Sequence, residues 1–181
     1  MSRLSIPSVE TSVEASKPLL AAVQKQLGVT PNLMKLVGHS PAALEGYLSL
    51  NGALGKGKLP VQLRERIALA IAEYNGCDYC LSAHDYLGRN VAKISSTEID
   101  AARDARSEDA RMHTALQFAL RVAQSRGRVS DADLTAIRNA GFDEAEVIEI
   151  VSNVAVNVLT NYINNVAATD IDFPIVRAKA A

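Results

Sequence analysis

An all-α domain of roughly eight helices with short connections is what this sequence predicts, and three observations predict it. Apolar residues recur with a period close to 3.6, as in Leu63, Ile67, Ala70, Ile71 and Tyr74. Residues that start and stop helices punctuate the chain at short intervals. No run alternates apolar and polar residues with the period of two that a half-buried strand requires.

The elements follow in order. Residues 1–11 read as a loose N-terminal arm, and 12–181 as a single helical domain. Thr30-Pro31 and Ser40-Pro41 each read as an N-cap followed by proline in the first turn. Ser95 with Glu98 and Asp143 with Glu146 have capping-box spacing, and Ser107 and Ser130 head two further segments. Gly28, Gly38, Gly55, Gly88 and Gly141 fall where helices should stop. The stretch from Pro60 to Tyr74 is apolar nearly all round, which predicts a buried helix. Asn75-Gly76 ends it, and the next helix begins at about Cys77. A last long apolar helix runs from Glu146 to about Ala167, with Asn153, Asn157, Asn161 and Asn164 along it. Those amides need partners if buried, and they suit a subunit contact or the wall of a site. An offset of 84 residues lays Glu65 on Glu149, Cys77 on Asn161 and Cys80 on Asn164. This predicts an internal duplication of a helix pair in which only the first copy kept its thiols.

Composition narrows the function. With 48% hydrophobic residues in 181, the chain can build one real core and has little room for a second domain. Lys and Arg number 19 against 20 Asp and Glu, a net charge of −1, and the charges are interspersed. There is no basic stripe for nucleic acid and no polybasic amphipathic stretch for a membrane surface. Met1 to Glu10 lacks the apolar stretch of a signal peptide, and no apolar run approaches the ~20 residues that span a bilayer. A cytoplasmic protein is the expectation. In that compartment a cysteine pair serves redox chemistry or metal binding more often than it staples a fold.

The only two cysteines are Cys77 and Cys80, and His84 follows four residues after the second. On a helix, positions 77, 80 and 84 share one face. Cys77 would lie at the helix start, beside free backbone N–H groups that favour a thiolate. His84 can take the Cys80 proton directly or through one water. If the helices on either side of Asn75-Gly76 pack as a hairpin, Glu65 faces His84. Glu65 also heads the apolar stripe of Ala68, Leu69 and Ala72, and a partly desolvated carboxylate there suits a proton relay. The arrangement is Glu65, His84 and Cys80, with Cys77 as second thiol.

This order of parts resembles the alkylhydroperoxidase D-like branch of the carboxymuconolactone decarboxylase superfamily. Its words are Glu65, then Cys77-x-x-Cys80-x-x-x-His84, with Leu59-Pro60-x-x-Leu63-Arg64-Glu65-Arg66 before and Asn75-Gly76-Cys77 at the start of the motif. Pro31-Asn32-Leu33, Ser40-Pro41-Ala42-Ala43-Leu44, Asn161-Tyr162-x-Asn164 and Asp172-Phe173-Pro174 resemble its peroxidase-related subgroup. The likeness covers about residues 20–175. It implies an all-helical fold, a homo-oligomer (trimer or hexamer), and reduction of small hydroperoxides by the cysteine pair at the expense of an external dithiol. It further implies Cys80 as the peroxidatic thiol, Cys77 as the resolving thiol, and His84 with Glu65 as proton relay, with no cofactor, metal or flavin. One residue departs from the pattern: alkylhydroperoxidase D proper has a histidine just before the second motif cysteine, where this chain has Tyr79.

Other readings stand beside this one. Buried cysteines often only pack. Structural zinc needs four ligands, of which Cys77, Cys80 and His84 supply three, with Glu65 a distant fourth. Glu65 can instead pair with Arg64 or Arg66. His39 reads as a loop or capping residue or as part of a pocket wall, and His113 as structural. Tyr47, Tyr79, Tyr86 and Tyr162 suit a pocket or an interface. Among activities, general disulfide exchange, a lyase of the carboxymuconolactone type and a non-catalytic scaffold are the alternatives.

Overall fold

The most buried stretch of the chain, Ile67 to Ala72, lies in a helix from Val61 to Tyr74, and the other elements gather round it. The computed structural model describes residues 1–179. A short 3₁₀ turn (Glu14–Ser16) leads into nine α-helices among the described residues: α1 Lys17–Leu27, α2 Asn32–Val37, α3 Pro41–Leu54, α4 Val61–Tyr74, α5 Asp78–Asn90, α6 Ser96–Arg103, α7 Ala110–Ser125, α8 Asp131–Asn139 and α9 Glu144–Ala167. No strand occurs among those residues. The all-α class is as expected, with one α-helix more than the sequence suggested.

Helix α4 is wrapped by α5, α9, α6 and α7. Leu63, Ile67, Leu69 and Ile71 of α4 are wholly shielded from solvent. Burying a side chain of that size contributes about 1.5–3 kcal/mol, so a helix with no polar side is stable only at the centre.

The turn from α4 to α5 is built by local hydrogen bonds. Gly76 N–H donates to Glu73 O at 3.1 Å, and Cys77 N–H donates to Ala72 O at 2.9 Å. These two bonds form a Schellman motif, which requires a left-handed residue between them. Gly76 supplies it at φ +61°. Cys77 therefore closes one helix and caps the next: its Sγ accepts from Cys80 N–H at 3.3 Å.

Several boundary expectations are corrected. Pro31, not Thr30, is the N-cap of α2, and Thr30 Oγ1 donates to Gln24 instead. Asp109, not Ser107, caps α7. Asp143 and Glu146 form a full capping box, but Ser95 and Glu98 form only half of one. Glu98 is drawn away by Arg66, Ser107 and the Glu108 N–H. Gly88 does not stop a helix. It lies inside α5, where an added Cβ would stand 3.3 Å from Ile99 Cδ1, so α5 and α6 approach too closely for a larger residue to fit without movement. The N-terminal arm is not loose: Arg3 N–H donates to Ala167 O, Ser2 Oγ accepts from Asp170 N–H, and the His39 ring holds Ser5 O. The duplicated helix pair also fails. Helix α9 runs unbroken through Leu159 and Thr160, where an offset of 84 would place the Asn75-Gly76 turn.

After α9 the chain turns back across the start of α5. Val176 N–H donates to Ser82 Oγ, and Arg177 and the Ala178 N–H both bond Asp78.

Candidate active site

The α4–α5 hairpin brings Glu65 beside His84, as the sequence predicts. His84 Nδ1 and Glu65 Oε2 are 2.8 Å apart. Arg66, the rival partner for Glu65, is taken by Glu98. His84 is held above the usual imidazole range. Burial works against this, but it is outweighed by the Glu65 charge, the hydrogen bond to it and the nearby Cys80 sulfur.

Cys77 and Cys80 are both free thiols and nearly inaccessible, at 1% and 2% exposure. Their environments push them apart. Cys80 is lowered from its ordinary value to about 7, first by the hydrogen bond from Cys77, against burial, and then by the His84 charge and the amides of Asn161 and Asn164. Cys77 is pushed far up by the same hydrogen bond and by burial. One thiol is thus poised to ionise and its neighbour is kept protonated to donate to it.

No hydrogen bond joins the His84 ring to either sulfur, so direct transfer from Cys80 is not the arrangement found. The imidazole acts on the sulfur through its charge. Among the described residues no group of three or more His, Cys, Asp or Glu side chains is spaced to hold a metal ion.

The long helix α9 forms the wall behind the sulfurs. Asn164 Nδ2 donates to Cys80 Sγ at 3.2 Å. Asn161 is fully buried; its Oδ1 accepts from Asn75 at 2.9 Å. Its Nδ2 has no ordinary hydrogen-bond partner, yet lies near enough to help lower Cys80. Of the two roles expected for the asparagine series, these residues take that of site wall. Beside the Glu65–His84 pair, Tyr47, Arg64, Glu65, His84, Asn157 and Thr160 line a cavity of about 40 Å³. Burial, with the nearby Cys80 and Glu65, pushes Tyr47 up to about 12, which keeps it a neutral donor. Arg64 and Thr160 were not singled out from sequence as lining residues. They sit one residue before Glu65 and one before Asn161, and only the helix packing aims them inward.

Tyr79 makes its hydrogen bonds away from Glu65 and His84. Its hydroxyl donates to Asp172 at 2.8 Å and accepts from Leu33 N–H at 3.0 Å, and its ring packs edge-on against Phe173. It fastens α5 to α2 and to the C-terminal segment. His39 bonds Ser5 and does not reach the cavity.

An all-helical chain with a buried CxxC and a Glu–His pair one turn behind it defines a narrow class. The carboxymuconolactone decarboxylase family model matches residues 41–125, which contain all four of Glu65, Cys77, Cys80 and His84. The structure is similar to an uncharacterised peroxidase-related protein with an alkylhydroperoxidase core from Ralstonia eutropha JMP134. The two are 26% identical over 94% of this chain and 92% of that one, with a TM-score of 0.84. A peroxidase-related protein from Silicibacter sp. TM1040 shares the fold at 22% identity over 93% and 91% of the chains, with a TM-score of 0.81. So does the debrominase Bmp8, solved as a cysteine-to-alanine variant with 2,3,4-tribromopyrrole, at 20% identity over 93% and 94%, with a TM-score of 0.75. No curated protein matches by sequence. The chain is thus similar to the alkylhydroperoxidase D-like, carboxymuconolactone decarboxylase superfamily, in sequence over residues 41–125 and in fold over nearly its whole length.

Proposed function

We propose that this chain is a thiol-dependent hydroperoxide reductase in which Cys80 attacks the peroxide. The observation that carries the reading is the split between two adjacent thiols: Cys80 is lowered to about 7 while Cys77 is raised. The Cys80 thiolate attacks the nearer peroxide oxygen, the O–O bond breaks, and the leaving alkoxide or hydroxide takes a proton relayed from His84. His84 recovers its proton from solvent, and Glu65 stabilises the charged ring throughout. The Cys80 sulfenic acid then condenses with the Cys77 thiol, releasing water and forming a disulfide. An external dithiol returns the pair to the reduced form.

The same split argues against general disulfide exchange, which would need Cys77, at the helix start, as the low-pKa attacking thiol. A lyase of the family type does not depend on a cysteine pair. The homo-oligomer implied by the family is supported by the outer face of α9, where Ile148, Tyr162 and Val166 are each more than half exposed. No helix among the described residues is long and apolar enough to cross a membrane.

The test is peroxide consumption with dithiothreitol as reductant. Cys80→Ser should abolish turnover, and Cys77→Ser should accumulate a sulfenate on Cys80 that dimedone traps. Equal turnover by Cys80→Ser and wild type would dismiss the proposal.

A further inference from the structure

The cavity of about 40 Å³ beside the Glu65–His84 pair has walls from α3, α4, α5 and α9. Most of its lining is polar. Helix α3 contributes Tyr47, α4 contributes Arg64 beside Glu65, and α9 contributes Asn153 and Asn157. Tyr47, pushed up to about 12, stays protonated, and its hydroxyl makes no hydrogen bond among the described residues. Asn153 and Asn157 each spend one amide N–H on their own helix, donating to Glu149 O and Asn153 O at 2.8 Å, and each keeps its second N–H. A cavity of this volume holds about three water-sized groups.

Arg64 is the lining group that the proposed chemistry leaves unused. Among the described residues no carboxylate comes within ion-pair distance of its guanidinium. Glu65, next in the chain, is committed to His84, and Glu98 to Arg66. The Arg64 Nε is shielded from solvent and makes no hydrogen bond, so the charge is partly dehydrated without being paired. Such a charge is stabilised by an opposite one or by strong hydrogen bonds. The C-terminal end of α3 passes close by at Gly55, but a helix end supplies only about half an elementary charge. With His84 protonated, the charges of Glu65 and His84 cancel, and Arg64 leaves the cavity with positive charge in excess.

We infer that this cavity is a binding site for a small planar oxyanion of the carboxylate type, held by the Arg64 guanidinium and the Tyr47 hydroxyl. A guanidinium fork matches the two oxygens of one carboxylate. The Tyr47 hydroxyl adds a neutral donor, and the remaining amide N–H of Asn153 or Asn157 adds another. Volume restricts the ligand to the smallest members of the class: formate fits, and pivalate, a branched carboxylate of the same charge, does not. The inference stands apart from the peroxidase reading, because binding to the reduced chain requires no reaction at either sulfur.

Binding is read on the full reduced chain from the transverse relaxation of the formate proton, which quickens when the small ion tumbles with the protein. Sodium pivalate in excess occupies exposed cationic patches but not the cavity, so the quickening should persist in its presence. Arg64→Met keeps the length of the side chain and removes its charge; it should weaken formate binding about tenfold or more. Tyr47→Phe keeps the ring and deletes the donor; it should weaken binding about threefold. No quickening in wild type overturns the proposal, as does quickening that pivalate removes or that Arg64→Met leaves unchanged. An unchanged affinity in Tyr47→Phe overturns it even if the methionine variant does not fold. A wild type that binds formate in this way but ignores hydrogen peroxide would remove the peroxidase reading and leave the anion site standing.

Discussion

The side-chain amide of Asn164 donates to the sulfur of Cys80 at 3.2 Å, across 84 residues of sequence. A hydrogen bond to an ionised group contributes about 1.5–3 kcal/mol, or one to two pKa units. Asn164→Leu should therefore move the Cys80 ionisation midpoint upward by about one unit. The rate of iodoacetamide alkylation at Cys80 against pH, resolved by mass spectrometry, measures it. A midpoint unmoved from wild type would mean that the amide is not part of what acidifies the sulfur.

The pH dependence follows from Cys80 and His84 together. In the proposed mechanism peroxide attack needs Cys80 as thiolate and His84 protonated, so kcat/KM should be bell-shaped, with its acid limb near 7. Glu65 raises His84, so Glu65→Gln should shift the alkaline limb to lower pH. The effect on stability has the matching sign. A histidine raised on folding contributes stability that is fully present below its unfolded pKa of about 6.5 and fades as pH rises through the folded value. Cys80, lowered on folding, contributes above its ordinary range, and this is lost as pH falls through about 7. The melting-temperature difference between wild type and Glu65→Gln should thus be largest at about pH 6 and shrink as pH rises. A difference that grows with pH would contradict the assignment.

Cys77 caps α5 through its sulfur and is the first cause of the lowered Cys80. Cys77→Ala removes both functions. It should cost about 1 kcal/mol in urea unfolding, the usual worth of a cap, and raise the Cys80 alkylation midpoint. Cys77→Ser, which can still accept and donate, should do less of each. If the alanine variant matched wild type in both, the cap would carry no energy.

Tyr79→Phe keeps the ring against Phe173 but deletes the bonds to Asp172 and Leu33. It strands a buried N–H, so a loss of about 1–3 kcal/mol is expected. For a chain of this size that is a fall of roughly 2–4 °C in Tm per kcal/mol. The Cys80 midpoint should stay within a few tenths of a unit. A large midpoint shift with no loss of Tm would instead tie Tyr79 to the ionisation of Cys80.

The hairpin was legible because every part of it is local. Gly76 can take the left-handed position, Asn75 closes the helix before it, and the spacing from Glu65 to His84 fits two antiparallel helices joined by a tight turn. The helix boundaries that misled are those where a distant partner overrode a local rule. Glu98 left its capping box for Arg66, and Gly88 sits within the last turn of α5, where Ile99 packs against it, rather than after the helix. The supposed second helix pair has the same origin: the period of α9 copies that of α4, but periodicity carries no record of whether a turn interrupts it.

Chain order alone determined the helical class, the cysteine pair one turn from an imidazole, and the carboxylate that meets that imidazole, since all of these follow from 3.6 residues per turn and one tight reversal. The local hydrogen bond from Cys77 makes Cys80 the more acidic sulfur, and what only the tertiary structure added came when α9 packed across the start of α5. That packing set the Asn164 amide against Cys80 and dehydrated both thiols, and neither burial nor a contact between residues 84 apart is encoded in any local stretch.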